Sequence, residues 1–128
     1  MATERTSSSS SGVHTCEIRL KLPSLNDYVR ECRSNRYQGA KFKKQTESDI
    51  SVFLRRLPKL ERVRIDFLWV EKNNKRDYDN IAFAKKFILD AMVKMGKLKD
   101  DNRKNVVGFS DDFAVGPEYK VILKITEV

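Results

Sequence analysis

The sequence predicts an α+β fold, a single small domain in which a mixed or antiparallel sheet of about four strands carries two main helices. Three observations predict it. Apolar–polar alternation, the mark of half-buried strands, recurs at 16–22, 61–71 and 119–126. Between these segments the apolar residues fall at helical spacing instead. The length, 128 residues, suits one modest core.

The first strand is Cys16-Glu17-Ile18-Arg19-Leu20-Lys21-Leu22, which alternates without a break and ends at Pro23. Ser24 then heads Leu25-Asn26-Asp27-Tyr28-Val29, the capped start of a short helix, and Gln38-Gly39-Ala40 breaks it. A second helix is predicted over 41–57, with Ile50, Phe53, Leu54 and Leu57 on one side and Pro58 as its stop. In the next strand Val63, Ile65, Phe67 and Trp69 alternate with Arg62, Arg64, Asp66 and Leu68. One continuous helix follows from Asp79 or Asn80, both good capping residues. Its core face is Ile81, Ala84, Ile88, Ala91, Met92 and Met95, and Gly96 terminates it. Residues 105–109 read as a short strand, Asp111-Asp112 and Gly116-Pro117 as the following loop, and 119–126 as the last strand. The order is β, α, β, α, β, β, with no internal repeat. Residues 1–12, with their serine run, cannot bury a core and are expected to be disordered, which leaves 13–128 as the domain.

Twenty-six Lys and Arg against 18 Asp and Glu leave a net charge of +8 and a pI of about 9.6. That balance favours a polyanionic partner, although a generic basic surface satisfies it equally. Cys16 and Cys32 lack CxxC spacing, and with His14 as the single histidine they build no ordinary zinc site. They read as small buried apolar residues of a reducing compartment, and His14 as incidental. No apolar run approaches the ~20 residues of a membrane span, and no signal peptide is evident, so a cytoplasmic protein without membrane contact is expected. One histidine excludes the usual Ser-His-Asp or Cys-His arrangements. The absence of GxxxxGK[ST] and GxGxxG argues against a nucleotide cofactor.

The chemistry is concentrated in Lys75-Arg76-Asp77-Tyr78-Asp79-Asn80 and, about twenty residues on, Asp100-Asp101. Acids at i and i+2 of an extended segment point the same way, and a third carboxylate brought in by folding would suit a hard cation such as Mg²⁺. If Asp101 folds beside Asp77 and Asp79, carboxylates ~5 Å apart repel by ~3 kcal/mol at an effective dielectric of about 20, which a cation or raised pKa values would relieve. Read separately, Asp79 is a helix cap and Asp77 a turn residue. On a continuous helix Lys86 and Asp90 fall within about 20° of Asp79, either as part of a site or as a solvated ion pair worth ~0.3 kcal/mol. Lys85 points elsewhere. Lys43 and Lys44, Arg55-Arg56, and Lys72, Lys75 and Arg76 suit a phosphate backbone, or else serve as solubilising surface.

These residues carry a resemblance. Arg76-Asp77-Tyr78-Asp79-Asn80-Ile81, a helix with Lys86 and Leu89-Asp90-Ala91-Met92, and then Gly96-Lys97-Leu98-Lys99-Asp100-Asp101, resemble the RusA family of Holliday-junction resolvases. Leu22-Pro23-Ser24-Leu25-Asn26 fits the family's opening, and the resemblance spans residues 16–127. It implies a RusA-like endonuclease domain over 13–128, acting as a homodimer that nicks four-way DNA junctions symmetrically with Mg²⁺, or with Mn²⁺ as its substitute. The implied catalytic residues are Asp77, Asp79, Lys86 and Asp101, with Asp77, Asp79 and Asp101 as metal ligands. The family's lysine follows its Asp-x-Asp about three residues sooner, nearly one helical turn. Lys85 therefore stands as the alternative to Lys86, and Asp100 as the alternative to Asp101. Lys72, Lys75, Arg76, Lys43 and Lys44 would bind DNA, and Phe83 and Val93, beside the lysine stripe, would help form the dimer.

Overall fold

A computed structural model of the protein describes residues 12–128; the expected disordered tail, Gly12 apart, lies outside them. The elements are β1 (Val13–Ile18), α1 (Leu25–Ser34), α2 (Arg36–Leu54), β2 (Val63–Glu71), α3 (Tyr78–Ala82), α4 (Lys85–Lys94), β3 (Val106–Val115) and β4 (Lys120–Glu127). The strands form one sheet in the order β1-β4-β2-β3. β4 runs antiparallel to β1 and β2, whereas β3 lies parallel to β2 on the outer edge. The fold is the expected single α+β domain with a mixed four-stranded sheet.

Alternation decides which face is covered. Val63, Ile65, Phe67 and Trp69 of β2, and Val121, Leu123 and Ile125 of β4, are buried, while Arg64 and Lys124 point the other way and are exposed. Ile50 and Leu54 of α2 and Ile88 and Met92 of α4 join the buried set. Each such side chain contributes roughly 1.5–3 kcal/mol on leaving water. Gly96 ends α4 at a φ of 75°, the left-handed conformation that a Cβ disfavours.

Four expectations are corrected. The first strand lies at Val13–Ile18, earlier than 16–22, because pairing with β4 sets its extent: Val13 opposes Thr126 and Ile18 opposes Val121. His14 lies in that strand and contacts the Glu127 carboxylate at 2.9 Å. Gly39 does not break a helix but sits inside α2, where an added Cβ would lie 2.7 Å from Sγ of Cys32, an exposed residue that was expected to be buried. It permits α1 and α2 to cross closely, and the real break is Asn35, which is extended and accepts a bond from the Gln38 amide at 2.8 Å.

The third correction concerns the helix from Asp79. It is two helices, joined at Phe83-Ala84 by tighter bonds: the Ala84 amide donates to Ile81 O and the Lys86 amide to Phe83 O. Fourth, Asp111-Asp112 is no loop but the middle of β3, which pairs with β2 along its whole length.

Candidate functional site

The local geometry begins at the C-terminal end of β2. Glu71 is buried, and its two carboxylate oxygens each accept a 2.7 Å bond from Arg76. Arg76 also donates from Nη1 to Leu22 O at 2.9 Å. The guanidinium therefore closes the loop over residues 72–75 and ties it to the chain entering α1. Glu71 holds the Arg76 pKa above the ordinary arginine value, chiefly through these hydrogen bonds. Arg76, expected among the phosphate-binding cations, is thus a brace with its donors already directed at the protein.

That brace sets the position of Asp77, which caps α3 with its backbone while its side chain makes no cap bond. The Asp77 carboxylate is exposed, and it lines a cleft of about 370 Å³ with Glu71, Asn73, Tyr78 and Val115. Tyr78 is 68% exposed and stacks on Phe113 of β3 at 4.2 Å between ring centroids. Asp79 is also exposed; one of its oxygens accepts from the Asn80 amide at 3.0 Å. The exposed Lys72 and Lys75 stand on the same loop, Lys72 with its ammonium 5.8 Å from the Tyr119 ring centre. The end of the strand therefore combines two open carboxylates, two exposed cations and an aromatic face.

Asp101 is elsewhere. The start of β2 is tied to the 97–105 segment: the Leu60 amide donates to Lys97 O at 2.7 Å, the Val63 amide donates to Asn105 O at 2.8 Å, and Leu60 bridges Leu98. β2 has nine residues. At ~3.3 Å per residue that strand spans about 30 Å, with Asp77 beyond its C-terminal end and the segment holding Asp101 tied to its N-terminal end. Asp100 is occupied in its own turn, accepting from the Asp101 amide at 2.7 Å and from Asn102 Nδ2 at 3.4 Å; among the described residues no such bond engages the half-buried Asp101 carboxylate. Among the described residues no group of three or more His, Cys, Asp or Glu could hold a metal ion. In one chain, then, Asp77 and Asp79 share an end, and the described residues do not bring the third expected ligand into one group with them.

The lysines also separate. The helix break removes the continuous wheel that aligned Lys86 with Asp79. Lys86 is 60% exposed and pairs with Asp90 at 3.7 Å, the solvated reading of that stripe. Lys43 approaches the same Asp90 at 3.1 Å, and Asp90 raises its pKa above the ordinary lysine value. Lys43 thus braces α2 against α4, where Glu47, 3% exposed, also pairs with Lys94. Lys44 is exposed with no ion pair among the described residues. Phe83, expected at a dimer contact, packs inward against Tyr28 at 5.7 Å and Phe87 at 5.6 Å. Val93 likewise packs against the core.

Sequence reasoning missed a second polar cluster. Lys85 Nζ donates to Asp111 Oδ2 at 2.6 Å, and Asp111 Oδ1 accepts from Trp69 Nε1 at 2.9 Å. The same ammonium lies 3.7 Å from the centre of the Phe109 ring. Lys85 is only 13% exposed, so it is the inward lysine of the pair. The signal was available as parity: Phe109, Asp111 and Phe113 share one side of an extended segment.

No family model matches the chain, and no curated protein matches it. No helix among the described residues is long and apolar enough to cross a membrane.

Proposed function

We propose that the protein is a metal-dependent endonuclease that acts on branched DNA in the cytoplasm, as its resemblance to RusA-family junction resolvases implies. The observation that carries the reading is the C-terminal end of β2, where Asp77 and the stacked Tyr78–Phe113 face line one cleft and the exposed Asp79, Lys72 and Lys75 stand on the adjoining loop and helix. The chain's own residues bind and orient. Lys72 and Lys75 meet backbone phosphates. Tyr78, backed by Phe113, offers a stacking surface to a base left unpaired at a branch, a contact worth ~1–3 kcal/mol. Asp77 and Asp79 supply acceptor oxygens beside that base, where they would orient an attacking water.

The alternative is a non-catalytic nucleic-acid-binding module, favoured by one fact: a single chain assembles no three-acid group among its described residues. A single experiment divides the two. The protein is incubated with a synthetic four-way junction and with matched duplex, in Mg²⁺ and in excess chelator. Paired nicks on the junction that require Mg²⁺ support the nuclease. Tight binding with an intact junction leaves the binding module.

A further inference from the structure

Phe109, Asp111 and Phe113 leave the outer strand on the side that the helices cover, because they oppose the buried Ile65, Phe67 and Trp69 of β2. At the edge that cover is incomplete. Phe109 is 51% exposed, and Tyr78, stacked on Phe113, is 68% exposed. Each open ring is backed on one side only, Tyr78 by Phe113 and Phe109 by the Lys85 ammonium, 3.7 Å from its centre. We infer that this edge binds an unpaired DNA strand, with one base stacked on Tyr78 and another on Phe109. The rings and the charges around them carry the binding surface; DNA as the source of the strand, and its delivery to the Asp77 cleft, rest on the nuclease reading.

Charge extends the surface past both rings. The chain enters β3 from the turn holding Arg103 and Lys104, both exposed. It leaves at Gly116, whose amide donates to Glu71 O at 2.8 Å, beside the loop with the exposed Lys72 and Lys75. Two cations therefore stand beyond each end of the aromatic stretch. The carboxylate between the rings, Asp111, is already paired with Lys85 at 2.6 Å and bonded by Trp69. Asp112 belongs to the opposite face of the sheet. The open acids, Asp77 and Asp79, lie at one end only, and the nuclease reading places the attacking water there. β3 pairs with β2 alone, so amides on its outer edge are also available to phosphate oxygens.

The spacing suits a strand and not a duplex. Phe109 and Phe113 are four residues apart, about 13 Å at ~3.3 Å per residue. A stacked strand rises ~3.4 Å per nucleotide, so the two stations take bases roughly four nucleotides apart, or fewer where the strand is stretched. A duplex keeps its base faces inside its own stack and reaches only the cations. An unpaired strand reaches cations and rings together. Stacking of this kind tolerates any base, because every base has a flat face. The edge therefore selects for an unpaired state and not for a sequence.

The test uses the full chain in chelator and reads the anisotropy of a fluorescein-labelled oligothymidylate, with a duplex and an oligouridylate of the same length beside it. The oligothymidylate should bind more tightly than the duplex at equal salt. Tyr78→Ala and Phe109→Ala should each weaken it roughly 5- to 150-fold and leave the duplex nearly unaffected. Phe109→Trp should retain binding, whereas Phe109→Leu, apolar but without a flat face, should weaken it as alanine does. Tyr37→Ala, which removes a 73% exposed ring from α2, should change nothing. Arg103→Ala with Lys104→Ala should lower the salt dependence by about 1.4 units of slope. A duplex bound as tightly as the single strand, or Phe109→Leu that binds like Phe109→Trp, overturns the inference. So does a Phe109→Ala protein that sediments differently with its oligonucleotide affinity intact, which makes the edge a protein-docking surface. Preference for oligouridylate overturns DNA as the source, while the ring variants still decide the surface. Ring-dependent binding by a protein that nicks no branched DNA in Mg²⁺ overturns the nuclease reading and leaves the surface standing.

Discussion

The two ends of β2 are held by different chemistry. At the C-terminal end the chain leaves the sheet over a charged brace, Glu71–Arg76–Leu22 O, and beyond it the carboxylates of Asp77 and Asp79 and the Tyr78 ring face outward. At the N-terminal end, backbone amides of Leu60 and Val63 bond directly to the returning 97–105 segment, and Leu60 and Leu98 are buried. A side-chain brace leaves neighbouring groups free to face solvent; a backbone ladder uses them up. On the proposed function, binding would fall to the first end and the scaffold to the second, with Asp101 as the exception that requires explanation.

The sharpest way to break the comparison is Asp77→Asn. It removes one charge and one oxygen donor from a side chain that makes no cap bond, so unfolding should be unchanged. Junction nicking should fall by orders of magnitude, while gel-shift binding in chelator holds or strengthens because the lost charge opposed the phosphates. Wild-type nicking by this variant would remove the site from the C-terminal end. Next in size is Arg76→Ala, which strands a buried carboxylate at Glu71 and should cost about 3–5 kcal/mol in urea unfolding. Lys75→Ala, one residue away, should leave stability unchanged and lower the salt dependence of DNA binding by roughly one unit of slope. If Arg76→Ala instead weakens DNA binding with stability intact, Arg76 is a phosphate ligand after all.

Asp111→Asn tests the centre of the sheet between the two ends. It leaves the half-buried Lys85 ammonium without its carboxylate and should cost about 1.5–3 kcal/mol, although the sequence alone would have made this position a neutral loop. At the scaffold end, Asn105→Ala removes a 2.7 Å bond to Glu61 O and should cost only about 0.5–1.5 kcal/mol with DNA binding unaffected.

The smallest effect is acidic. The Ser24 amide, which donates to Asp27 at 3.0 Å, holds the Asp27 carboxyl below its ordinary value. A lowered folded-state pKa stabilises the fold above the unfolded value, and that part is lost as pH falls through the folded one. Asp27→Asn should therefore flatten the acid limb of a thermal-stability profile below about pH 4, and Ser24→Ala should cost about 1 kcal/mol near neutrality.

What was legible in the sequence was local. β2 announced itself through Val63, Ile65, Phe67 and Trp69, and Gly96 marked the end of its helix, because period and backbone freedom act over a few residues. Asp77 and Asp79 were legible as neighbours, but the extended segment expected to aim them together is not there: Asp79 lies in α3, and of the two only Asp77 lines the cleft. What stayed hidden depends on distant partners. Gly39 looks like a breaker until Cys32 of the neighbouring helix is placed against it. Asp111 looks like a turn until Trp69 and Lys85 supply its two bonds, from 42 and 26 residues away. The position of Asp101 turns on whether β3 runs with or against β2, which neither strand's own pattern encodes.

Trp69 is the chain's single tryptophan, and it joins the two strands whose relation matters most. Its indole is buried against Phe67 at 5.4 Å between rings, and its N–H is held by a β3 carboxylate. Intrinsic fluorescence of this protein is therefore a label-free optical gauge of the β2–β3 seam. A red-shifted emission reports that the outer strand has come away, even while the rest of the sheet is intact.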